Sequence, residues 1–220
     1  GAQHAVYGAK RLLDAAREEE YPDEDVQAAL RTLLGAAERG DAYAQYQAGK
    51  LYREGYFLPR DDAGAKMFFE RAAKHENHFA EYALGKLHAD EMSPFFDETK
   101  AADWFERAAE HGNGFAKYRL AKCFLNGKGR AVDAGSAARL FAEAAQASDV
   151  SVRRSAVPWA KYQLGKLYIQ GNGVPRDWAK AEELLRSAAQ DGNEFAQRLL
   201  QRRAQWHRLG PMDAALGVIG

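Results

Sequence analysis

Residues 160–181 read Ala-Lys-Tyr-Gln-Leu-Gly-Lys-Leu-Tyr-Ile-Gln-Gly-Asn-Gly-Val-Pro-Arg-Asp-Trp-Ala-Lys-Ala, and this stretch decides the fold. Ala160, Leu164, Leu167 and Tyr168 fall at i, i+4, i+7 and i+8, the apolar stripe of a helix that packs on one face. A turn rich in glycine and proline follows from Gly171, and Asp177 then stands where a carboxylate accepts from the free N–H groups of a new helix. The unit is helix, tight turn, helix.

Outward from this stretch the same pattern recurs. The pairs Ala36-Ala37, Ala72-Ala73, Ala108-Ala109, Ala144-Ala145 and Ala188-Ala189 are spaced by 36, 36, 36 and 44 residues. The column Tyr43, Phe79, Phe115, Trp159 and Phe195 steps by 36, 36, 44 and 36, which places eight extra residues between Ala145 and Trp159. Asp25, Asp61, Asp97, Asp133 and Asp177 keep the beat. Agreement of three columns on period and insertion makes the chain a repeat array.

Within a unit, the second helix (helix B) carries Ala65, Phe68, Phe69, Ala72 and Ala73 on one face. The aspartate column is expected to start it, and Gly40, Gly112 and Gly192 to end it in the left-handed region. Asp41, Asn113 and Asn193 follow and are placed to cap the next first helix (helix A). At Glu76-Asn77 the chain has to turn without glycine. Helix A buries Ala44, Ala48 and Leu51 and their counterparts. Gly49, Gly85, Ala121 and Gly165 allow a neighbouring helix to come close, and a larger residue at Ala72 or Ala108 is expected to overpack the stack by about 1–3 kcal/mol.

With these residues in place, the stretch 160–181, followed by Ala188-Ala189 and Gly192, resembles a Sel1-like repeat, a relative of the tetratricopeptide repeat. The resemblance implies an all-α, right-handed α/α superhelical solenoid. It covers units 42–77, 78–113, 114–157 (with the insertion near 147–157) and 158–193, between a degenerate N-terminal repeat or cap at 1–41 and a C-terminal capping helix and tail at 194–220. Two loops depart from the pattern: Met92-Ser93-Pro94-Phe95-Phe96 replaces the glycine-rich segment in one unit, and Arg130-Ala131-Val132 replaces Val-Pro-Arg in another. Both are candidates for a different shape or for contacts.

Composition narrows the function. The 220 residues carry 31 basic and 31 acidic side chains, 46% hydrophobic residues, one cysteine and a mean hydropathy of -0.55. That suits a globular chain with a core and no global pull towards nucleic acid or an anionic membrane. No apolar run approaches the roughly 20 residues of a membrane span. Cys123 aligns with Leu51, Leu87 and Leu167 and reads as core filler, which sets the chain apart from the cysteine-rich secreted members of the family. Gly1-Ala2 is no signal peptide and is expected to be a cloning remnant, which leaves cytoplasmic and periplasmic or secreted locations open. The apolar end at 214–220 is expected to belong to a longer protein or to dock on the cap.

The chain has no Gly-x-Ser-x-Gly, Ser-x-x-Lys or His-Glu-x-x-His motif, and Gly127-Lys128-Gly129 lacks the spacing and hydroxyl of a P-loop. Catalytic residues, cofactor and metal are therefore expected to be none. His75 and His111 share a repeat position at the end of helix B, where an imidazole suits the negative end of the dipole, and His88 stands in for a core tyrosine.

Two further columns point to binding. Tyr46, Tyr82, Tyr118 and Tyr162 align, each followed after four residues by Lys50, Lys86, Lys122 and Lys166. On a helical wheel centred on Ala48, Tyr46 lies about 160° and Lys50 about 200° from the core direction. Along the concave lining of a superhelix the pairs would recur about every 8–10 Å, a ladder for a partner peptide or helix. The competing reading has the tyrosine wedged against the next repeat and the lysine serving solubility. Substituting Tyr82 and Lys86 together separates the two, since only a packed tyrosine lowers the melting temperature.

The insertion 147–157 reads as a tolerated junction loop or a prolonged helix B, with Arg153 and Arg154 as a candidate anion contact. Residues 147–220 carry 11 basic and 7 acidic side chains, a net of +4, and Arg198, Arg202, Arg203, His207 and Arg208 surround Trp206. The expectation is a non-catalytic scaffold that binds a protein or peptide. The alternatives are an accessory domain of a bacterial DNA-mobilisation (relaxase-type) protein, for which the basic last helix would contact nucleic acid, and a secreted or periplasmic repeat protein linked to cell-wall or signalling regulation. A hydrolase acting on peptidoglycan or β-lactams has only a loose family association behind it. A salt-sensitive gel shift with plasmid DNA would favour the DNA alternative.

Overall fold

A computed structural model describes the backbone of residues 1–216 and the side chains of residues 1–205. Every regular element among them is a helix, and the helices divide between two compact units, Gly1–Asn113 and Gly114–Gly220. Trp206, His207, Arg208 and the tail at 214–220, singled out in the sequence, lie outside the described side chains.

The first unit holds α1 (Ala2–Ala15), α2 (Asp23–Glu38), α3 (Ala42–Glu54), α4 (Asp62–Ala73), α5 (His78–Ala89) and α6 (Glu98–Glu110). The second holds α7 (Gly114–Asn126), α8 (Ala134–Ala145), α9 (Val150–Gln170), α10 (Trp178–Gln190) and α11 (Glu194–Leu216). Within each unit, consecutive helices pack against one another as helix-turn-helix pairs.

The aspartate column works as a set of N-caps. The carboxylates of Asp61, Asp97, Asp133 and Asp177 accept from the backbone N–H of Gly64, Lys100, Ser136 and Lys180 at 2.9–3.0 Å. Asp25 departs from the expectation. Helix α2 starts two residues earlier, after Pro22, and Asp25 contributes only charge to its first turn, because proline already fixes the entry. Gly40, Gly112 and Gly192 end their helices at φ +99°, +89° and +88°. Where glycine is missing, Glu76 adopts φ +57°, and Asn77 caps the next helix through Ala80 N–H at 3.0 Å.

Each turn between helices A and B closes in the same way: the N–H groups of Asp61, Asp97, Asp133 and Asp177 donate to the carbonyls of Tyr52, His88, Phe124 and Tyr168 at 2.8–3.1 Å. The aberrant loop at 92–96 keeps that closure and adds two bonds of its own. The buried His88 donates from Nδ1 to the Phe95 carbonyl at 2.7 Å, and the Ser93 hydroxyl accepts from Phe95 N–H at 3.1 Å. His88 is therefore a buried polar pin for that loop as well as a filler.

The core follows from the small-residue columns. A Cβ added to Gly49 would come within 2.5 Å of the Phe69 ring, and one added to Gly85 within 2.5 Å of Phe105. Helix A thus lies directly on the helix B aromatic of its own repeat, a contact no larger residue allows. Gly173 is held more tightly still. It has φ +74°, and a Cβ there would sit 2.3 Å from the Ala134 carbonyl at the start of α8. Cys123 is half-buried, less so than its leucine counterparts, so it fills the core only in part.

Two ion pairs join successive repeats at matching positions. Arg17 pairs with Glu54, and 36 residues on Arg53 pairs with Asp90 at 2.5 Å while also binding Asp62 at 2.8 Å. Hydrogen bonds from Met92 N–H and Arg53 hold the Asp90 carboxyl below its ordinary range.

The insertion is the clearest difference from the sequence reading. It forms neither a junction loop nor a longer helix B. Asp149 accepts from Val152 N–H at 3.1 Å and starts α9, which runs straight into helix A of the last full repeat with Pro158 inside it. The boundary drawn between 157 and 158 therefore falls within one helix. Buried Val152, Ala156 and Val157 supply its apolar face and pack with Phe115 and Tyr118, so the added residues gain burial as helix that a loop would forgo.

Candidate functional site

The expected binding residues come together in pairs. The Nζ atoms of Lys50, Lys86, Lys122 and Lys166 lie 5.8, 4.8, 5.8 and 5.0 Å from the ring centroids of Tyr46, Tyr82, Tyr118 and Tyr162. Each is an i, i+4 cation–π contact on helix A, worth about 0.5–1 kcal/mol where solvent reaches it. The ammonium is held over the ring in all four repeats.

The tyrosines do not point away from the core as the wheel suggests. Tyr46 is half-buried, with its ring 6.0 Å from Phe69 of its own repeat and 5.9 Å from Phe79 of the next. Tyr82 lies 5.9 Å from Phe105, Tyr118 5.7 Å from Phe141, and Tyr162 5.9 Å from Phe195. A tyrosine ring is long enough to lean along the flank of its helix into the repeat junction, which a wheel of Cα directions misses. Burial raises the phenol pKa of Tyr46 and Tyr118 and lowers the ammonium pKa of Lys50 and Lys122. Joint substitution of Tyr82 and Lys86 would therefore mix lost packing with lost contact.

The structure adds a row of residues that sequence reasoning used only as a period marker. Phe79 is 52% exposed, Phe195 48% and Trp159 38%. Each of this column's aromatics in the four full repeats precedes the tyrosine by three residues and the lysine by seven, so all three columns share a helical face. That spacing was the available signal. In the first unit Tyr7 extends the row, its ring 4.9 Å from Tyr43. The presented surface thus sets exposed Phe79 and Trp159 on the same helix face as lysines seated on tyrosine, while Tyr43 and Phe115 of the same column are half-buried.

The histidines among the described residues do not gather into a metal-holding group. His75 is exposed, whereas the His111 Nδ1–H donates to the Glu81 carboxylate at 2.8–2.9 Å. Glu81 is fully buried, and Arg107 Nε reaches it at 3.2 Å. Sequence reasoning passed over Glu81 because its repeat equivalents are Gln45, Lys117 and Lys161. Its hydrogen bond raises the His111 pKa. Stability from this pair is complete below the ordinary histidine pKa of about 6.5 and is lost as pH rises through the raised value. Melting temperature is therefore expected to fall as pH rises above about 6.5, and His111→Gln should flatten that slope; an unchanged slope would mean that the pair contributes nothing. No group of three or more His, Cys, Asp or Glu side chains among the described residues is arranged to hold a metal.

At the C-terminal end, Arg198 pairs with Glu194 at 3.2 Å and Arg203 with Glu182 at 3.3 Å, Arg203 also lying over Trp178. Arg202 is exposed. Within the described residues no helix is long and apolar enough to cross a membrane.

The tandem helix-turn-helix repeat defines a class, the Sel1 repeat proteins. The family model "Sel1 repeat" matches residues 42–77, 78–113, 114–149 and 160–193, well over half of the chain, and the chain belongs to this family. It is similar to a Sel1 repeat protein from Oxalobacter formigenes (30% identity over 80% of this chain and 49% of that one, TM-score 0.69). It is also similar to c5321, a protective antigen of uropathogenic Escherichia coli with the same repeat fold (28% identity, 86% of this chain and 41% of that one, TM-score 0.70). The chain spans less than half of either relative's length. An immunity protein, Pa5087 of Pseudomonas aeruginosa, shares the fold at 20% identity over 97% of this chain and 74% of that one, with a TM-score of 0.50. No curated protein matches the chain. Sel1 repeat proteins generally mediate protein–protein interaction and are typically not enzymes.

Proposed function

We propose that this chain is a non-catalytic scaffold that binds a segment of a partner protein, peptide or helix, along the helix A face. One observation carries the reading: in two of the four repeats an exposed aromatic ring, Phe79 or Trp159, shares a helix face with a lysine held over a tyrosine, Lys86 over Tyr82 or Lys166 over Tyr162, at the same i, i+3, i+7 spacing. Half-exposed rings offer contact area at low entropic cost, and lysines beside them favour a segment that carries carboxylates. The cation–π seating fixes the ammonium positions before binding, so less side-chain freedom is lost on contact.

Photocrosslinking tests the face. A photoreactive phenylalanine analogue at Phe79 or Trp159 is expected to capture a discrete partner from extract of the source organism. The same group at Glu110, exposed on α6, is expected to capture none. Equal capture from all three positions would overturn the choice of face. The DNA-mobilisation reading has in its favour the net +4 of residues 147–220, and loses weight where Arg198 and Arg203 are already paired with acids.

A further inference from the structure

In the first unit, a cavity of about 170 Å³ opens between α1, α2 and α3. Its floor includes Leu13 and Leu33, and its rim carries Lys10, Asp14, Arg17, Lys50 and Glu54. Liquid water occupies about 30 Å³ per molecule, so the space admits a small polar group of a few heavy atoms.

The repeat register explains the unusual charge. Lys10 and Asp14 stand 36 residues before Tyr46 and Lys50, so the first rung of the ladder carries a base in the tyrosine column and an acid in the lysine column. Lys10 pairs with that acid, and Arg17 pairs with Glu54. Both carboxylates of the rim are thereby engaged. Lys50 forms no salt bridge with a carboxylate among the described residues; it lies over Tyr46 and is half-buried. Burial comes first in depressing its pKa, with Lys10 and Arg17 adding to the effect against a partial offset from Glu54 and Asp14. Three cations against two acids leave one positive charge without a counter-charge at the N-terminal end of the aromatic and lysine face.

We infer that this cavity binds one carboxylate of the partner segment, with Lys50 as the direct contact and Lys10 and Arg17 held in position beside it by Asp14 and Glu54. The inference rests on the proposed binding face and specifies its chemistry at one end. A single carboxylate fits better than a phosphate dianion, because Asp14 and Glu54 on the same rim repel a second negative charge. The carboxylate comes either from a chain terminus or from an aspartate or glutamate side chain.

The test uses protein labelled with 13C-lysine and three small probes. N-acetylglycine presents a terminal carboxylate, N-acetylglutamate amide a side-chain carboxylate, and N-acetylglutamine amide is the neutral match. At least one of the acids is expected to shift the Lys50 ε-methylene signal saturably and to move its titration upward towards the ordinary lysine range, while the neutral probe does neither. Which acid acts identifies the source. Lys50→Met should weaken the response still visible at Lys10 by at least about tenfold, the size of one charge-assisted hydrogen bond. Equal shifts from the neutral probe, or a Lys10 response that survives Lys50→Met, would overturn the inference. The probes need no partner protein: lost probe binding with crosslinking at Phe79 intact removes the cavity alone, and the converse result removes the proposed face alone.

Discussion

Phe105→Ala is expected to destabilise the first unit by about 3–5 kcal/mol, the usual cost of emptying a fully buried phenylalanine site. Phe105 is 1% exposed, lies against Tyr82, and occupies the space that the missing side chain of Gly85 leaves open. Helix A and helix B of that repeat meet at this ring, so the cavity opens where the backbones are closest and the structure can relax least. The neighbouring Phe79 is the internal control. It is half-exposed, and Phe79→Ala should cost far less. Urea denaturation followed by circular dichroism reads both variants, and the two costs should differ by at least about 2 kcal/mol. Equal costs would mean that the small-residue columns do not define where the repeats are tightest.

The repeat period, the helical pairs and most of their punctuation were legible in the sequence because each depends on local chemistry. Aspartate before a helix, glycine after one, and alanine where helices touch are constraints that a single residue satisfies, so they appear as columns. What was not legible depends on neighbours distant in the chain. The insertion looked like a loop because its apolar residues, Val152, Ala156 and Val157, have partners only once α9 packs against Phe115 and Tyr118. Glu81 gave no signal, as a buried carboxylate makes sense only beside His111, 30 residues away. Of the candidate site, the tyrosine–lysine pairing was legible as spacing and the direction of the rings was not, since Tyr46 reaches Phe69 and Phe79 along the flank of its helix. The exposed column at Phe79, Trp159 and Phe195 could have been found from its three-residue offset to the tyrosines.

The central claim is that the lysines of this face meet carboxylates of a bound segment. The triple variant Lys86→Glu, Lys122→Glu and Lys166→Glu tests it while leaving Lys50 and its cavity untouched. Each reversal places like charge against the partner, and the three together are expected to raise the Kd by at least about a hundredfold. Each also removes a cation–π contact worth about 0.5–1 kcal/mol, so some loss of stability follows from packing alone. The matching triple glutamine variant loses the same contacts without adding repulsion and separates the two effects. The decisive measurement is calorimetric titration of the wild type and both triple variants with the partner captured from Phe79. The account predicts a modest loss for the glutamine variant and near-abolished binding for the folded glutamate variant. A folded glutamate variant that binds as tightly as the wild type would contradict it.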